Sequence, residues 1–430
     1  MLGFAFSFGP GALLLAAIIG TNAPAVPITV ERVATLPANE QSAWREYLKR
    51  SRQQMIADKV FLITEMKKNQ VRDSLPAPKG KSESRVPLDH PLAWYSQSDA
   101  LRIAAIVLSF QTPAGGWAKG VDMTLKSRAP GQQFYGDTSV VHLSGADPEI
   151  PRDLSWHYIG TFDNDATITQ LRFLANVATA VGPDRAINCR SGFLRGLDFI
   201  FASQFPNGGW PQVWPLQGDY SAAITYNDNA MINVMQFLSA VAKGRDNFAF
   251  VPKPLRERAA TSVQRGIECI LETQIKGNGG GTVWCQQHDA LTLQPTSARN
   301  YEMAAQCGAE SAKILAFLMD LPNPDPRIVS AVHAAALWLE KNKLHDVAQR
   351  LDDEAGKRLV RAPGEGPLWA RYYEIGTDRP VFGDRDKTIH DDMNEISQER
   401  RNGYSWFNES PRAVLDKFAR WRKLHPRVEP

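Results

Sequence analysis

Three times in this chain a run with helical spacing ends at a glutamine, turns through glycines to a tryptophan, and leads by a long loop into another helical run. The glutamine and tryptophan pairs are Gln111 and Trp117, Gln204 and Trp210, and Gln274 and Trp284. Before the first pair, Leu101, Ala104, Ala105 and Leu108 recur on one helical face. After the loops come the apolar runs Ile168 to Ala180, Ala230 to Ala240, and a third ending at Leu321. One helix pair cannot bury its apolar face alone, so such repeats must stack on one another. Strand patterns are sparse, limited to short runs such as Thr282 to Cys285. The expected fold is mostly α, an α/α toroid or incomplete α/α barrel, with the tryptophan-bearing loops gathered at one end.

The remaining sequence sets limits. A formal charge of +3 is too small to point to nucleic acid. Residues 1 to 30 carry no charged side chain, and the mostly apolar Phe4 to Gly20 leads to Asn22-Ala23-Pro24-Ala25. That predicts an export leader over residues 1–25, hence a secreted or periplasmic protein. The run is too short, and too interrupted at Pro10, for a stable membrane span. A helix is expected from about Trp44 to Met66, with Ser42 as its N-cap, followed by a Pro- and Lys-rich linker from Val71 to Val86. Residues 26–87 are thus read as a helical segment and linker, and residues 88–430 as the main domain of a monomer. Cys189, Cys269, Cys285 and Cys307 show no paired spacing and are expected as buried thiols. Cys285 with His288 is half a zinc pattern at most.

The chemistry gathers after the repeated loops, where Asp163, Asp228 and Arg299 precede the next helical runs. If the copies converge, two carboxylates face an arginine across one mouth, and carboxylate and amide oxygens suit a hard cation such as calcium. Each aspartate alone reads first as a helix cap; their recurrence beside matched Gly-Trp loops reverses that and favours a site. Arg299 has a local explanation in Glu302, one turn on. Against this stands its apparent place at a helix N-terminus, where the dipole disfavours a cation. Further along, Arg371, Arg379 and Arg385, then Gln398 to Trp406, interleave guanidinium groups with aromatic rings. Such forks bind carboxylates while rings stack on sugars, although surface ion pairing explains any single arginine as well.

These segments resemble polysaccharide lyase family 10, the pectate lyases. The resemblance rests on GGWAKGVDM, TFDNDATITQLRFLA, SQFPNGGWPQVWPLQGDYSAAITYNDNAM, TVWCQQHDALTLQPTSARNYE and WARYYEIGTDRPVFGDRDKTIHDDMNEISQERRNGYSW. It implies an α/α toroid and calcium-dependent cleavage of α-1,4-linked polygalacturonate by anti β-elimination. It further implies Arg299 as catalytic base, Asp163 and Asp228 as calcium-associated carboxylates, and Lys119, Asn164, Arg371 and Arg385 as substrate-binding residues. A free guanidinium is a poor base, so calcium, Arg371 and Arg385 are expected to crowd Arg299 and lower its pKa. Two other readings share the residues: a glycoside hydrolase using Asp163 and Asp228, and a non-catalytic uronate-binding module built on Trp117, Trp210 and the arginines.

Overall fold

Each repeat closes on its tryptophan. The indole Nε1 donates back into the preceding helix, from Trp117 to the Val107 carbonyl at 2.8 Å, from Trp210 to Ile200 at 3.0 Å and from Trp284 to Ile270 at 2.7 Å. The glutamine before each turn bridges two elements through its amide. Gln111 donates to the Gly115 and Gly192 carbonyls, Gln204 to Gly208 and Ser262, and Gln274 to Thr282 and Ala331. One bond satisfies the turn, and the other pins the helix of the following repeat. That double duty is why the Gln-to-Trp motif recurs: a buried carbonyl left without a donor costs about 1–3 kcal/mol.

The computed structural model describes residues 18–80, 85–136, 153, 156–277 and 280–427, so residues 1–17 of the expected leader lie outside it. The chain is mostly helical. A short helix α1 (Val30–Val33) precedes the long α2 (Ala38–Lys68). Then come α3 (Ser98–Ser109), α4 (Ile168–Val181), α5 (Ile187–Ser203), α6 (Ala230–Lys243) and α7 (Lys253–Thr273). The chain continues through α8 (Gly308–Met319), α9 (Pro326–Lys341), α10 (Gln398–Gly403) and α11 (Ser410–Trp421). Helices α4, α6, α8 and α11 form one rank, and α3, α5, α7 and α9 the other, with α4 packed on α5, α6 on α7 and α8 on both α9 and α11. The core lies between the ranks, where Leu171, Leu174, Phe193, Met235, Leu238 and Ile270 are fully buried.

A fourth repeat accompanies the three visible in the sequence. Trp369 Nε1 donates to the Leu339 carbonyl of α9 at 2.8 Å, and Trp369–Ala370 pairs with Phe407–Asn408 just before α11. A hairpin, Val347–Asp352 against Gly356–Arg361, is inserted between α9 and its tryptophan and hides the spacing. Thr282 to Cys285, expected as extended, is not a strand; the short ladders flank it, at Gly280–Gly281 and Gln287–His288.

Helix α2 begins six residues before Trp44, so Ser42 lies inside it and caps nothing. It packs along the loops of the first two repeats. Trp44 and Tyr47 lie on Phe205 at 5.4 and 5.2 Å between ring centres, and the Tyr47 hydroxyl donates to the Ser203 carbonyl at 2.9 Å. Glu65 accepts from Arg128 at 3.2 and 2.5 Å and from the Gly131 amide at 2.8 Å. All four cysteines are buried and unbonded to one another. His288 is a core residue rather than half a zinc site. Its Nε2 accepts from the Cys285 amide at 3.1 Å, its Nδ1 contacts the Leu293 carbonyl at 2.9 Å, and burial pulls its pKa down to about 4.

Candidate active site

The starts of α4, α6 and α8 come together, and with them the acidic residues. Before α4 and α6 the chain makes matching tight turns, Asp163–Asp165 and Asn227–Asn229, in which Asn164 and Asp228 both take left-handed backbone at φ 50° and 49°. The matched pairs are therefore Asp163 with Asn227 and Asn164 with Asp228. The two aspartates, expected at equivalent positions, are one residue out of step. This offset lets each turn present one carboxylate and one amide.

Asp163 is buried and accepts from Lys119 Nζ at 2.5 Å, while Asn164 donates to it at 3.3 Å. The Lys119 ammonium also sits 3.8 Å from the centre of the Tyr158 ring. Asp228 is exposed to the cleft yet is raised to about 6, first by the protein packed around its carboxyl and next by the Asp163 carboxylate. Glu310 and Glu302 push the same way, and Arg371 opposes them. Water screens part of that penalty, so its stability cost is small. It does mark a cluster short of positive charge.

Arg371 faces this cluster. Its guanidinium donates to the Asn227 side-chain oxygen at 2.8 Å and to Glu310 at 2.7 Å, and lies 4.5 Å from the centre of the Tyr404 ring. Among the described residues its Nε and the second Glu310 oxygen are buried without partners. Burial works to lower the Arg371 pKa, but Glu310 outweighs it and the group stays firmly charged.

Arg299 departs from expectation in two ways. It does not stand at a helix N-terminus: α8 begins only at Gly308, and Arg299 lies in a tight turn where the Glu302 amide donates to its carbonyl at 2.9 Å. The dipole argument for it therefore falls. Its guanidinium also has an acidic partner that outweighs any lowering by positive neighbours. It forms a fork onto Glu302, at 2.8 Å from Nε and 2.5 Å from Nη2. Burial acts to lower its pKa, but Glu302 reverses the sign and holds it well above the ordinary arginine value. Arg371 pairs with Glu310, and Arg385 with Glu399 at 3.1 and 3.3 Å, so part of their charge is offset.

Tyrosines that sequence reasoning did not single out knit these groups together. Tyr404 donates to Glu302 at 2.7 Å beneath both Arg299 and Arg371. Tyr301 lies under Arg299, Arg385 and Arg400, which brings Arg385 to the same face. Tyr158, hydrogen-bonded to Tyr220, lies within the fields of both Asp163 and Arg299. Its backbone is at φ 48°, a costly conformation for a bulky residue and one that clusters at functional sites. Trp117 and Trp210, which the binding-module reading would have contact polymer, are fully buried structural posts.

Two hollows open beside Asp228. A hollow of about 440 Å³ is lined by Asp228, Glu310, Lys313, Arg371 and Lys417, and a second, of about 630 Å³, by Asn164, Asp165, Asp228 and Leu88. They meet at Asp228. For a cation the donors fit in part. Among the described residues no three acidic, histidine or cysteine side chains converge on one point. Asp163 and Asp228, with their amide neighbours, offer a partial oxygen shell that water and a ligand would have to complete.

Glu302 is held down to about 2: burial raises it, but Arg299 more than offsets this. A carboxyl depressed on folding stabilises the protein above its unfolded pKa, and that stability is lost as pH falls through the folded value. Glu302→Gln is expected to cost about 3 kcal/mol near neutral pH. Urea unfolding between about pH 4 and pH 2 should show a shallower falling limb in the variant than in the parent, because Glu399 and other depressed carboxyls remain.

Such a site, with acidic helix starts opposed to ion-paired arginines and open hollows beside them, fits an enzyme acting on an anionic polymer. The pectic acid lyase family matches residues 111–415, and the chain belongs to that family as a pectate lyase. The structure resembles a family 10 polysaccharide lyase from Cellvibrio cellulosa, with 32% identity, 80% of this chain and 97% of that one covered, and a TM-score of 0.63. It also resembles an aspartate-to-alanine mutant of a family 10 enzyme from the same organism, in complex with trigalacturonic acid. There the identity is 33%, the coverage 76% and 95%, and the TM-score 0.63. A search of curated proteins gives no match.

Proposed function

We propose that this enzyme is a calcium-dependent pectate lyase that cleaves α-1,4-linked polygalacturonate by anti β-elimination, with Arg299 as the base. The observation that carries the reading is the crowding of Asp163 and Asp228 opposite Arg371, whose Nε is buried without a partner. An unsatisfied buried donor beside a cation-seeking pair of carboxylates is suited to the carboxylate of a uronate. That the relative from Cellvibrio cellulosa was solved with trigalacturonic acid supports the same substrate class here.

Arg371 and Arg385 hold uronate carboxylates, while Lys119 and Asn164 position the neighbouring sugar. Arg299 takes the C5 proton; the C5–H electrons form the C4–C5 double bond, the C4–O4 bond breaks, and O4 departs with its electron pair to be protonated by water. Asp163 and Asp228 are the residues that would hold calcium, whose charge offsets that developing beside the substrate carboxylate. Arg299 can accept a proton only as the neutral guanidine, so its fork with Glu302 must loosen in the substrate complex. Residues 88–430 form the catalytic unit, arranged as an α/α toroid and acting as a monomer; the two ranks of paired helices support that arrangement. The apolar stretch ahead of Ile18 serves for export, and no helix among the described residues is long and apolar enough to cross a membrane.

Product analysis tests the reaction type. Elimination gives oligogalacturonates with an ultraviolet-absorbing unsaturated end, their masses summing to that of the starting chain. A hydrolase adds one water per cut and leaves no absorbance, and a binding module yields neither product.

A further inference from the structure

The turn that carries Arg299 is held from the far end of the sequence. Residues Ile18–Thr21 form a strand antiparallel to Thr388–His390, which pairs in turn with Phe382–Gly383. The next residue, Asn22, is nearly buried, at 9% exposure, and its backbone amide donates to the Lys387 carbonyl at 2.8 Å. Its side-chain amide faces three carbonyls of the Arg299 turn: Arg299 at 3.0 Å, Asn300 at 2.9 Å and Glu302 at 3.3 Å. The Ser297 hydroxyl donates to the Ala23 carbonyl, and the Asn300 side chain donates to the Arg385 carbonyl at 3.0 Å. Gly383 approaches so closely that an added Cβ would lie 2.5 Å from the Tyr301 carbonyl oxygen.

Within the turn the Arg299 carbonyl accepts from the Glu302 amide and the Glu302 carbonyl from the Ala298 amide, and Asn22 adds a donor to both and to the Asn300 carbonyl between them, tying the turn to another segment. A primary amide is the smallest side chain that presents two N–H groups to such a cluster. Terminal segments fray unless tied down, and this one is tied to both the Arg299 turn and the Arg385 hairpin. We propose that Asn22 is a positioning residue for the active site. It fixes the backbone from which Arg299 and Glu302 project and keeps that turn in register with Arg385, so the chain from Ile18 onward belongs to the working enzyme and any leader is removed ahead of it. This rests on the reading of Arg299 as base.

The test uses Asn22→Ala and the isosteric Asn22→Asp in the full chain, assayed on polygalacturonate, with thermal unfolding and the intact mass of the exported protein. Both are expected to lose roughly 10- to 100-fold in kcat, the scale on which small misplacements act, with KM within about twofold and unfolding still cooperative. Packing alone would leave Asn22→Asp near the parent, since it keeps the volume but cannot donate. The proposal is overturned if either variant keeps the parent kcat per folded molecule, or if the exported enzyme begins beyond Asn22 and is fully active. Should Asn22→Ala fail to fold, Ser297→Ala removes only the tether to Ala23, and an unchanged kcat there counts against the proposal. An active Arg299→Ala would instead refute the base assignment, whereas an inactive Arg299→Ala beside a normal Asn22→Ala refutes only the role of Asn22.

Discussion

Arg299→Ala is expected to lower kcat on polygalacturonate by about 10³-fold, in the middle of the range for loss of a general base. Its neighbour Glu302 is held down to about 2 and locked between Arg299 and Tyr404, and is not the base. The variant strands that carboxylate, so its activity should be compared below its own unfolding temperature. Arg299→Lys separates two explanations. It keeps a charge but cannot reproduce the two-pronged contact with Glu302, so purely electrostatic help would survive in part and a positioned base would not. A rate within tenfold of the parent in Arg299→Ala would refute the assignment.

The repeat was legible because its parts do fixed structural jobs. A tryptophan that donates into its own helix and a glutamine that spans two repeats cannot be replaced casually, so they recur with recognisable spacing. The fourth copy was hidden by the hairpin Val347–Arg361, which pushes Trp369 far beyond the end of α9. The first strand was illegible for a different reason. An uncharged apolar stretch reads as a leader by composition, and only the pairing of Ile18–Thr21 with a distant hairpin shows another use.

The fold brings the predicted residues near one another, but not in the expected arrangement. Asp163, Asn164, Asp228, Lys119 and Arg371 lie close together, with Arg299 and Arg385 joined to them through Tyr404 and Tyr301. The one-residue offset between the aspartates follows from left-handed turns that spacing does not reveal. The local Glu302 partner of Arg299, treated as the bland explanation, is the one that forms. Which carboxylate an arginine chooses depends on Tyr404 and Glu310, residues far apart in sequence that nothing in a linear pattern connects.

Calcium dependence carries the other large effect. Asp163 and Asp228 crowd one another, and in the proposed elimination a neighbouring uronate would add a further negative charge as it gives up its C5 proton. The arginines are committed in part to Glu302, Glu310 and Glu399, so the positive charge they can spare is limited. Without a cation the barrier should rise by several kcal/mol, which corresponds to at least about 10³-fold in rate. The direct measurement follows ultraviolet absorbance from polygalacturonate with the purified enzyme in calcium, then after chelation, then with calcium restored. Product formation that stops on chelation and returns with calcium is the predicted result; an undiminished rate in excess chelator would contradict it.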